Sequence, residues 1–345
     1  MAKVNRKNRS ILIISILLFI CVLFYVIDWY ITYKKHNISE NTIVLIHENA
    51  TYQDVLDSLK SSTAIINWDR FEKVANKEVF KDHFEAGRFL LTKEMSNTQI
   101  IRTICNNWQK PMNLILPAHI RTVNKLANYL GTKCEADSAK FAEVFSDENL
   151  IDSLGFNKDN FIALFIPNTY QIFWTIEPQE LVNRFYKEYQ NFWNKTRLAS
   201  AQELKMTPQE IITLASIVVE ESNYETEQPT IAGVYVNRLK RHMKIQADPT
   251  IHYILLQQNI QVNRILYNHL RIKSPYNTYK YRGLPPGPIT IPTINAIDAV
   301  LNYQHHNYLY FCANPELDGT HLFSSTYRQH LKLARKFHKV LNSQK

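Results

Sequence analysis

The sequence predicts an α+β chain in three parts: a single N-terminal transmembrane helix, a small α+β module and a larger mixed α/β domain. Three observations lead there. Residues 11–27 carry no charge, and residues 42–105 alternate between strand-like and helix-like patterns. Residues 206–330 join an apolar helix, ending in paired carboxylates, to a segment dense in proline and tyrosine. A length of 345 residues has room for roughly two domains at about 150 each. With 45% hydrophobic and 21% charged residues and 4 Cys, the chain is neither a disordered tail, nor collagen-like, nor a disulfide scaffold.

Lys3, Arg6, Lys7 and Arg9 precede the apolar run, Asp28 ends it, and Trp29, Tyr30 and Tyr33 follow. An α-helix needs about 20 apolar residues to cross a hydrocarbon core of about 30 Å. The basic flank is the side that stays in the cytoplasm, and aromatic rings suit the membrane–water interface. A cleaved signal peptide would need a small-residue site such as Ala-x-Ala, which Asp28–Thr32 does not offer. The expectation is a cytoplasmic tail over 1–10, an uncleaved anchor over 11–31, and everything after residue 33 outside the cytoplasm. Of the formal +9, residues 1–32 hold +3, leaving +6 spread over the other 313 without an Arg-rich stripe. No nucleic-acid partner is expected from such a distribution. Cys21 lies in the apolar run, while Cys105, Cys134 and Cys312 are far apart and lack Cys-x-x-Cys spacing. At most one bridge can form, and neither a metal nor a cofactor is expected.

A polar linker is expected near 34–41. Thr42–His47 then reads as a strand, Asn49–Leu59 as a turn into an amphipathic helix, and 67–77 as a second helix. Phe84–Leu91 reads as a returning strand and Ser96–Ile104 as a further helix. Such a module can be a spacer or can bind a polymer. Residues 118–200 are mostly helical by spacing, with turn signals at Gly131 and Gly155 and an interruption at Phe165–Tyr170. Phe185, Tyr186, Tyr189, Phe192 and Trp193 cluster at helical spacing and read as core. Thr207-Pro208-Gln209-Glu210 is a helix start, with Thr as N-cap, Pro at the first position and Glu able to close a capping box. The helix is apolar on nearly all faces, hence buried, and ends at Glu220 and Glu221. Residues 275–292 hold five of the 13 prolines and two of the seven glycines. That segment has few conformations to lose, so it can be rigid and display Asn277 and three tyrosines beside a site.

A carboxyl delivered from an apolar core loses solvation, which raises its pKa and makes it a general acid near neutral pH. Glu220 and Glu221 lie about 100° apart around a helix. One should face a site and the other solvent or a cation. A two-carboxylate glycosidase needs a partner across the substrate, and Asp248 is the nearby candidate. Pro249 pushes residue 248 toward an extended conformation, which suits a structural turn residue equally well. Nucleophile elbows, Ser-x-x-Lys, phosphate loops and dinucleotide fingerprints are all missing.

The ordered motifs Leu214–Ser222, Ile231–Leu239, Met243–Thr250, Ser274–Tyr279, Gly283–Ile289 and Tyr308–Phe311 closely resemble the MltG (YceG-like) endolytic murein transglycosylase family. The variant is similar to that of Bacteroidota-type bacteria. The resemblance extends over nearly the whole chain. It implies a LysM-like module over 42–105 and a catalytic domain over 106–345, largely helical to 205 and active-site-bearing from 206. The family motif reads Ala-Ser-Ile-(Val/Ile)-Glu-x-Glu-(Thr/Ser). Here Ala215, Ser216, Ile217 and Val218 match, Val219 replaces the first Glu, Glu220 takes the variable place and Glu221 precedes Ser222. The resemblance therefore places the catalytic acid at Glu221, and it places the family's His-x-Phe segment at His321–Phe323, with Thr326 and His330 after it. It implies cleavage of the MurNAc–GlcNAc β-1,4 bond within glycan strands, without water, to leave 1,6-anhydro-MurNAc ends. Expected substrate contacts are Asn168, Tyr170, Ser222, Asn237, Gln246, Asp248, Asn277, Tyr279 and His321. Expected partners are peptidoglycan strands and peptidoglycan synthases, at an inner (plasma) membrane with the catalytic domain in the periplasm.

Overall fold

The computed structural model describes residues 6–343, so part of the expected cytoplasmic tail, Lys3 included, lies outside the described residues. The fold is mixed α/β. By contact the chain divides into two compact units, one holding residues up to 113 with 171–176, the other holding 114–170 and 177 onward.

In the first unit, α1 (Arg6–Tyr33) is one unbroken helix. Its residues 9–33 are long and apolar enough to cross a membrane, and the side chains from Ile11 to Tyr30 are exposed. β1 (Thr42–Ile46) is followed by α2 (Tyr52–Ser61), α3 (Trp68–Ala75), the short α4 (Glu78–Asp82), β2 (Gly87–Leu91) and α5 (Asn97–Cys105). The strands pair antiparallel from Thr42↔Leu91 to Ile46↔Gly87. Their inward residues Val44, Ile46, Phe89 and Leu91 meet Val55, Leu59, Phe71, Ile100 and Ile104 from the helices in one core. α2 starts where Thr51 and Asp54 cap each other reciprocally, satisfying two orphan backbone donors.

The 34–41 stretch is not a free linker, which corrects the reading from composition. Ile38 is buried in the core. Asn37 is also buried; its amide donates to Asn97 Oδ1 at 2.7 Å and to the Asn67 carbonyl at 3.0 Å, and its Oδ1 accepts the Asn67 N–H at 2.8 Å. A polar residue is recruited here because it satisfies backbone groups that burial would otherwise orphan.

β3 (Met112–Leu116) and β4 (Asn168–Ile172) pair as a two-stranded sheet, and the division between the units falls inside both strands. Between them run α6 (Val123–Gly131), α7 (Ser138–Val144) and α8 (Glu148–Ser153). The second unit continues with α9 (Pro178–Phe192), α10 (Lys195–Glu203), α11 (Pro208–Glu221), α12 (Gln228–Lys240), α13 (Asp248–Gln257) and α14 (Ile294–Leu301). It closes with the hairpin β5 (Tyr310–Ala313) and β6 (His321–Ser324), on which α15 (Tyr327–Ser343) packs. Phe185, Tyr189 and Trp193 are buried on α9, as a core aromatic cluster requires.

α11 is the centre of this unit and packs against α10, α12, α13 and α14. Every residue from Ile211 to Val219 is buried, and the Thr207–Glu210 capping box is present. The proline-rich strap, residues 275–292, is bound to α11 by Ser216 Oγ, which accepts the Ile289 N–H at 3.0 Å. Gly287 permits a close approach: a Cβ there would stand 2.0 Å from the Asp159 carbonyl oxygen. The strap does not display Asn277, contrary to expectation. That side chain is fully buried and works as an internal staple. Its amide donates to the Leu270 and Ile272 carbonyls, and its Oδ1 accepts the Tyr279 and Lys280 N–H groups. Of the three tyrosines, Tyr276 is buried, Tyr279 is half-buried and Tyr281 is exposed.

Candidate active site

α11 ends at Glu221, and Ser222 leaves the helix in an extended conformation. The two carboxylates part company there. Glu220 is held by Arg121 and by His119 Nδ1, the latter at 3.4 Å. The 119–121 segment that carries those cations is fixed by backbone bonds with Ile291 on the strap. Glu221 points instead into a pocket of about 310 Å³. Val219 lies in the core at 3% exposure, so no charged group could occupy that position without being buried.

The pocket wall comes from several elements. Tyr235 and Arg238, one turn apart on α12, face Glu221; Gln246 and Asp248 come from the approach to α13, Tyr279 from the strap, Tyr310 and Phe311 from β5, and Tyr327 and His330 from α15. Tyr235 is buried, and its hydroxyl donates to Glu221 Oε1 at 2.6 Å. Tyr279 donates to Asp248 Oδ1 at 2.5 Å. Arg238 is buried too; its Nε donates to the Leu309 carbonyl at 2.6 Å and its Nη1 to the Ile245 carbonyl at 2.5 Å. It thereby ties β5 to the loop that aims Gln246 and Asp248. Gln246 holds φ at +53°, a left-handed value unusual for a residue with a Cβ, at the point where the chain turns into the site.

Asp248 is the first residue of α13, with Pro249 in its first turn. This corrects the extended turn conformation expected before proline: Ala247 is extended instead and serves as the N-cap. A proline in the first helical turn loses no hydrogen bond, because its N–H would be unsatisfied there anyway.

Desolvation dominates the electrostatics. Glu221 is half-buried as a residue, but burial of its carboxyl is the largest effect on it and pushes its pKa up to about 7. The Tyr235 donor opposes that shift, the charge of Asp248 adds to it, and Arg238 pulls it back. Burial also pushes the Tyr235 and Tyr279 hydroxyls up, so both stay protonated donors at neutral pH. Burial, then Arg238, holds His330 below its ordinary value. Its ring stacks on Tyr310 at 5.5 Å and on Tyr327 at 6.2 Å between centroids. The result is one carboxyl able to give and take a proton near neutrality, facing a wall of aromatic rings.

Of the sequence candidates, Glu221, Gln246, Asp248 and Tyr279 come together in the pocket. Ser222 and His321 stand just behind it on Glu227, whose Oε2 accepts from Ser222 Oγ at 3.2 Å and lies 3.0 Å from His321 Nδ1. Asn237 faces a separate cavity with Lys240, Tyr303, His305 and His306, and donates to the His306 carbonyl at 2.7 Å. Tyr170 is in the core, donating to the Ile166 carbonyl at 2.5 Å and lying edge-on to Phe185. Asn168 is exposed on β4 and caps its own neighbour, accepting from the Thr169 N–H at 2.8 Å. Sequence reasoning assigned no role to Tyr235, Arg238, Glu227, Tyr310, Phe311 or Tyr327. The i, i+3 pair of Tyr235 and Arg238, beside the apolar run Ile231–Val236, was the one local signal available. Among the described residues, no cluster of three or more His, Cys, Asp or Glu side chains could hold a metal ion.

Fold and site together define a pocket at the end of a buried helix, holding one carboxyl of raised pKa and walled by helices and the terminal hairpin. The model of the YceG-like family matches residues 44–336, and the chain belongs to that family. A solved yceG-like protein of Listeria monocytogenes superposes with a TM-score of 0.57 at 25% identity, covering 85% of this chain and 99% of that one. An endolytic murein transglycosylase of Bacillus subtilis (strain 168) is 35% identical over 147 residues, 43% of this chain and 39% of that protein. One of Streptococcus pneumoniae serotype 2 is 39% identical over 111 residues, 32% of this chain and 20% of that protein. The matched region thus spans well under half the length of either relative.

Proposed function

We propose that this chain is a membrane-anchored endolytic peptidoglycan transglycosylase, with Glu221 as general acid and then base. The observation that carries the reading is a carboxyl desolvated in a pocket that raises its pKa to about 7. An acid of that strength can donate and later accept at neutral pH. Glu221 gives its proton to the glycosidic oxygen as the C1–O bond of MurNAc breaks, and GlcNAc leaves with a 4-hydroxyl. The carboxylate then takes the proton of the MurNAc 6-hydroxyl while that oxygen bonds to C1. The acid is regenerated and the strand ends in 1,6-anhydro-MurNAc. Because the nucleophile is tethered to the reacting ring, the step gains the advantage of an intramolecular reaction and needs no second carboxylate to prepare water. Asp248, engaged by the Tyr279 hydroxyl, and Gln246 are then polar contacts to the sugar. Tyr310, Tyr327 and His330 offer ring faces against its apolar side. The relatives named as endolytic murein transglycosylases support the reading.

The same proposal gives α1 the role of a single-pass anchor in the inner membrane, N-terminus in the cytoplasm and the remainder in the periplasm. The 42–105 module is LysM-like, residues 106–345 form the catalytic domain, and peptidoglycan synthases at the membrane supply nascent strands. A second reading rests on Asp248, whose position in the same pocket suits a base that activates water for hydrolysis.

Mass spectrometry of peptidoglycan digested by the full chain and by Glu221→Gln decides between them. Anhydro ends from the wild type alone are expected. Reducing ends would make the enzyme a hydrolase and move attention to Asp248. No product from a folded wild-type chain would overturn both readings.

A further inference from the structure

We propose that a second cavity of the same domain, about 730 Å³ and walled by Arg121, Lys125, Lys158 and Lys273, binds the carboxylate-bearing stem peptide of the glycan strand. The identity of the polymer rests on the function proposed above; the anionic, branch-sized occupant is argued from the cavity itself. Four cations face a single carboxylate there, Asp159. Two of them have partners. Arg121 holds Glu220, and Lys158 lies 3.7 Å from Glu148 with both side chains more than 70% exposed, too loose and solvated to cancel its charge. Lys125 and Lys273 form no ion pair among the described residues. Both side chains are exposed, so two uncompensated cations stand at the mouth of one concavity, which draws an anion toward it because a cleft lined by one sign of charge focuses the field.

Shape and location narrow the occupant. The volume lies within the ~300–1,000 Å³ of small-ligand sites, which suits a short branch rather than a polymer backbone or a convex lipid surface. Tyr253 and Tyr276, with ring centroids 4.8 Å apart, give it an aromatic floor for the apolar part of a peptide. Arg121 connects it to the candidate acid: the same guanidinium that lines this cavity holds Glu220, the residue next to Glu221. A strand whose scissile bond lies at Glu221 carries its peptide on the MurNAc ring of that bond, so an anion site tied through Arg121 to the same helix end offers a place for the branch.

The test is binding by the full chain in detergent, in a Glu221→Gln background that leaves strands uncut. The probes are glycan strands with stem peptides, the same strands stripped of them, and a water-soluble glycerophosphoglycerol headgroup. The parent should prefer stem-bearing strands. Lys125→Glu with Lys273→Glu should reduce that preference about tenfold or more, the scale of losing hydrogen bonds to charged groups. Lys125→Arg with Lys273→Arg should restore it. An unchanged preference in a charge-reversed variant whose thermal melt matches the parent would overturn the proposal. So would loss of headgroup binding with strand preference intact, which would assign the cavity to a lipid headgroup. Because the readout is binding, a chain that proves unable to cut glycan still reports on this cavity.

Discussion

At Glu221 two neighbours act in opposite directions, and their balance can be measured. Burial raises its pKa to about 7, and the Tyr235 hydroxyl, which donates to the charged form, lowers it from where burial alone would leave it. The acid form is needed first, so kcat/KM should fall as pH rises through about 7. Tyr235→Phe removes the donor while keeping the ring, so the descending limb should move to higher pH; a limb that stays put or moves down would exclude Tyr235 as a positioning residue for the acid. The same shift has a stability consequence. The folded state keeps a proton that the unfolded chain releases above about 4.5, so the wild type loses stability between that pH and about 7. Glu221→Gln carries no such penalty. Its melting temperature should match the wild type at pH 4, exceed it by a margin that grows to pH 7, and hold that margin above. Calorimetry across that range, with the margin shrinking instead, would mean the pocket favours the carboxylate.

Two contacts hold the strap in place, one to α11 and one to the turn at Asp159. Ser216 Oγ accepts the buried Ile289 N–H, and Gly287 lets the strap touch the Asp159 backbone. Ser216→Ala orphans that N–H and should cost about 1–3 kcal/mol, read from the thermal midpoint of the full chain in detergent. Gly287→Ala must push the strap away from Asp159 and carry Tyr279 with it, so it should lower both the midpoint and strand cleavage. A Gly287→Ala protein with wild-type cleavage would mean that the strap does not set the Tyr279 position. These elements also separate what was legible in the sequence from what was not. α11 could be read in full, because Thr207, Pro208 and Glu210 mark its start and its unbroken apolar run dictates burial. The pair Glu220 and Glu221 was legible for the same reason, as the end of that run, but only the family resemblance chose Glu221 between them. Asn277 was not, since a side-chain amide turns inward only when particular carbonyls, here those of Leu270 and Ile272, are brought to it. Tyr235 was missed likewise: the partner of its hydroxyl is on another helix, and local spacing does not encode which two helices meet. Pro249 is compatible with both a turn and a first helical turn, and only the packing of α13 chose between them.

At the scale of the whole chain, the link between α1 and the first module is a joint rather than a tether. Asp28 pairs with Arg70 of α3 at 3.1 Å, the Thr32 carbonyl accepts from the buried Asn97 amide at 2.8 Å, and Thr98 donates to the Tyr33 carbonyl at 2.9 Å. At about 1.5 Å per residue the 28-residue helix is roughly 42 Å long, more than the ~30 Å hydrocarbon core requires. Under the proposed anchoring, its last turns stand outside the bilayer, where Asp28 and Thr32 bond with the module, and the module would sit at the membrane face. Under the proposed function, reach toward the glycan then comes from elements beyond α1, because α3 and α5 grip its end. The proposed topology can be tested at the two ends of α1. In a chain whose own cysteines are replaced by serine, Lys35→Cys lies just past the joint and is exposed, so an impermeant maleimide added to intact cells with a permeabilised outer envelope should label it. Ser10→Cys, at the opposite end of the apolar run, should react only after the inner membrane is opened. Reversed labelling would put the carboxyl pocket in the cytoplasm, away from any polymerised glycan, and would remove the anchor and the proposed reaction together.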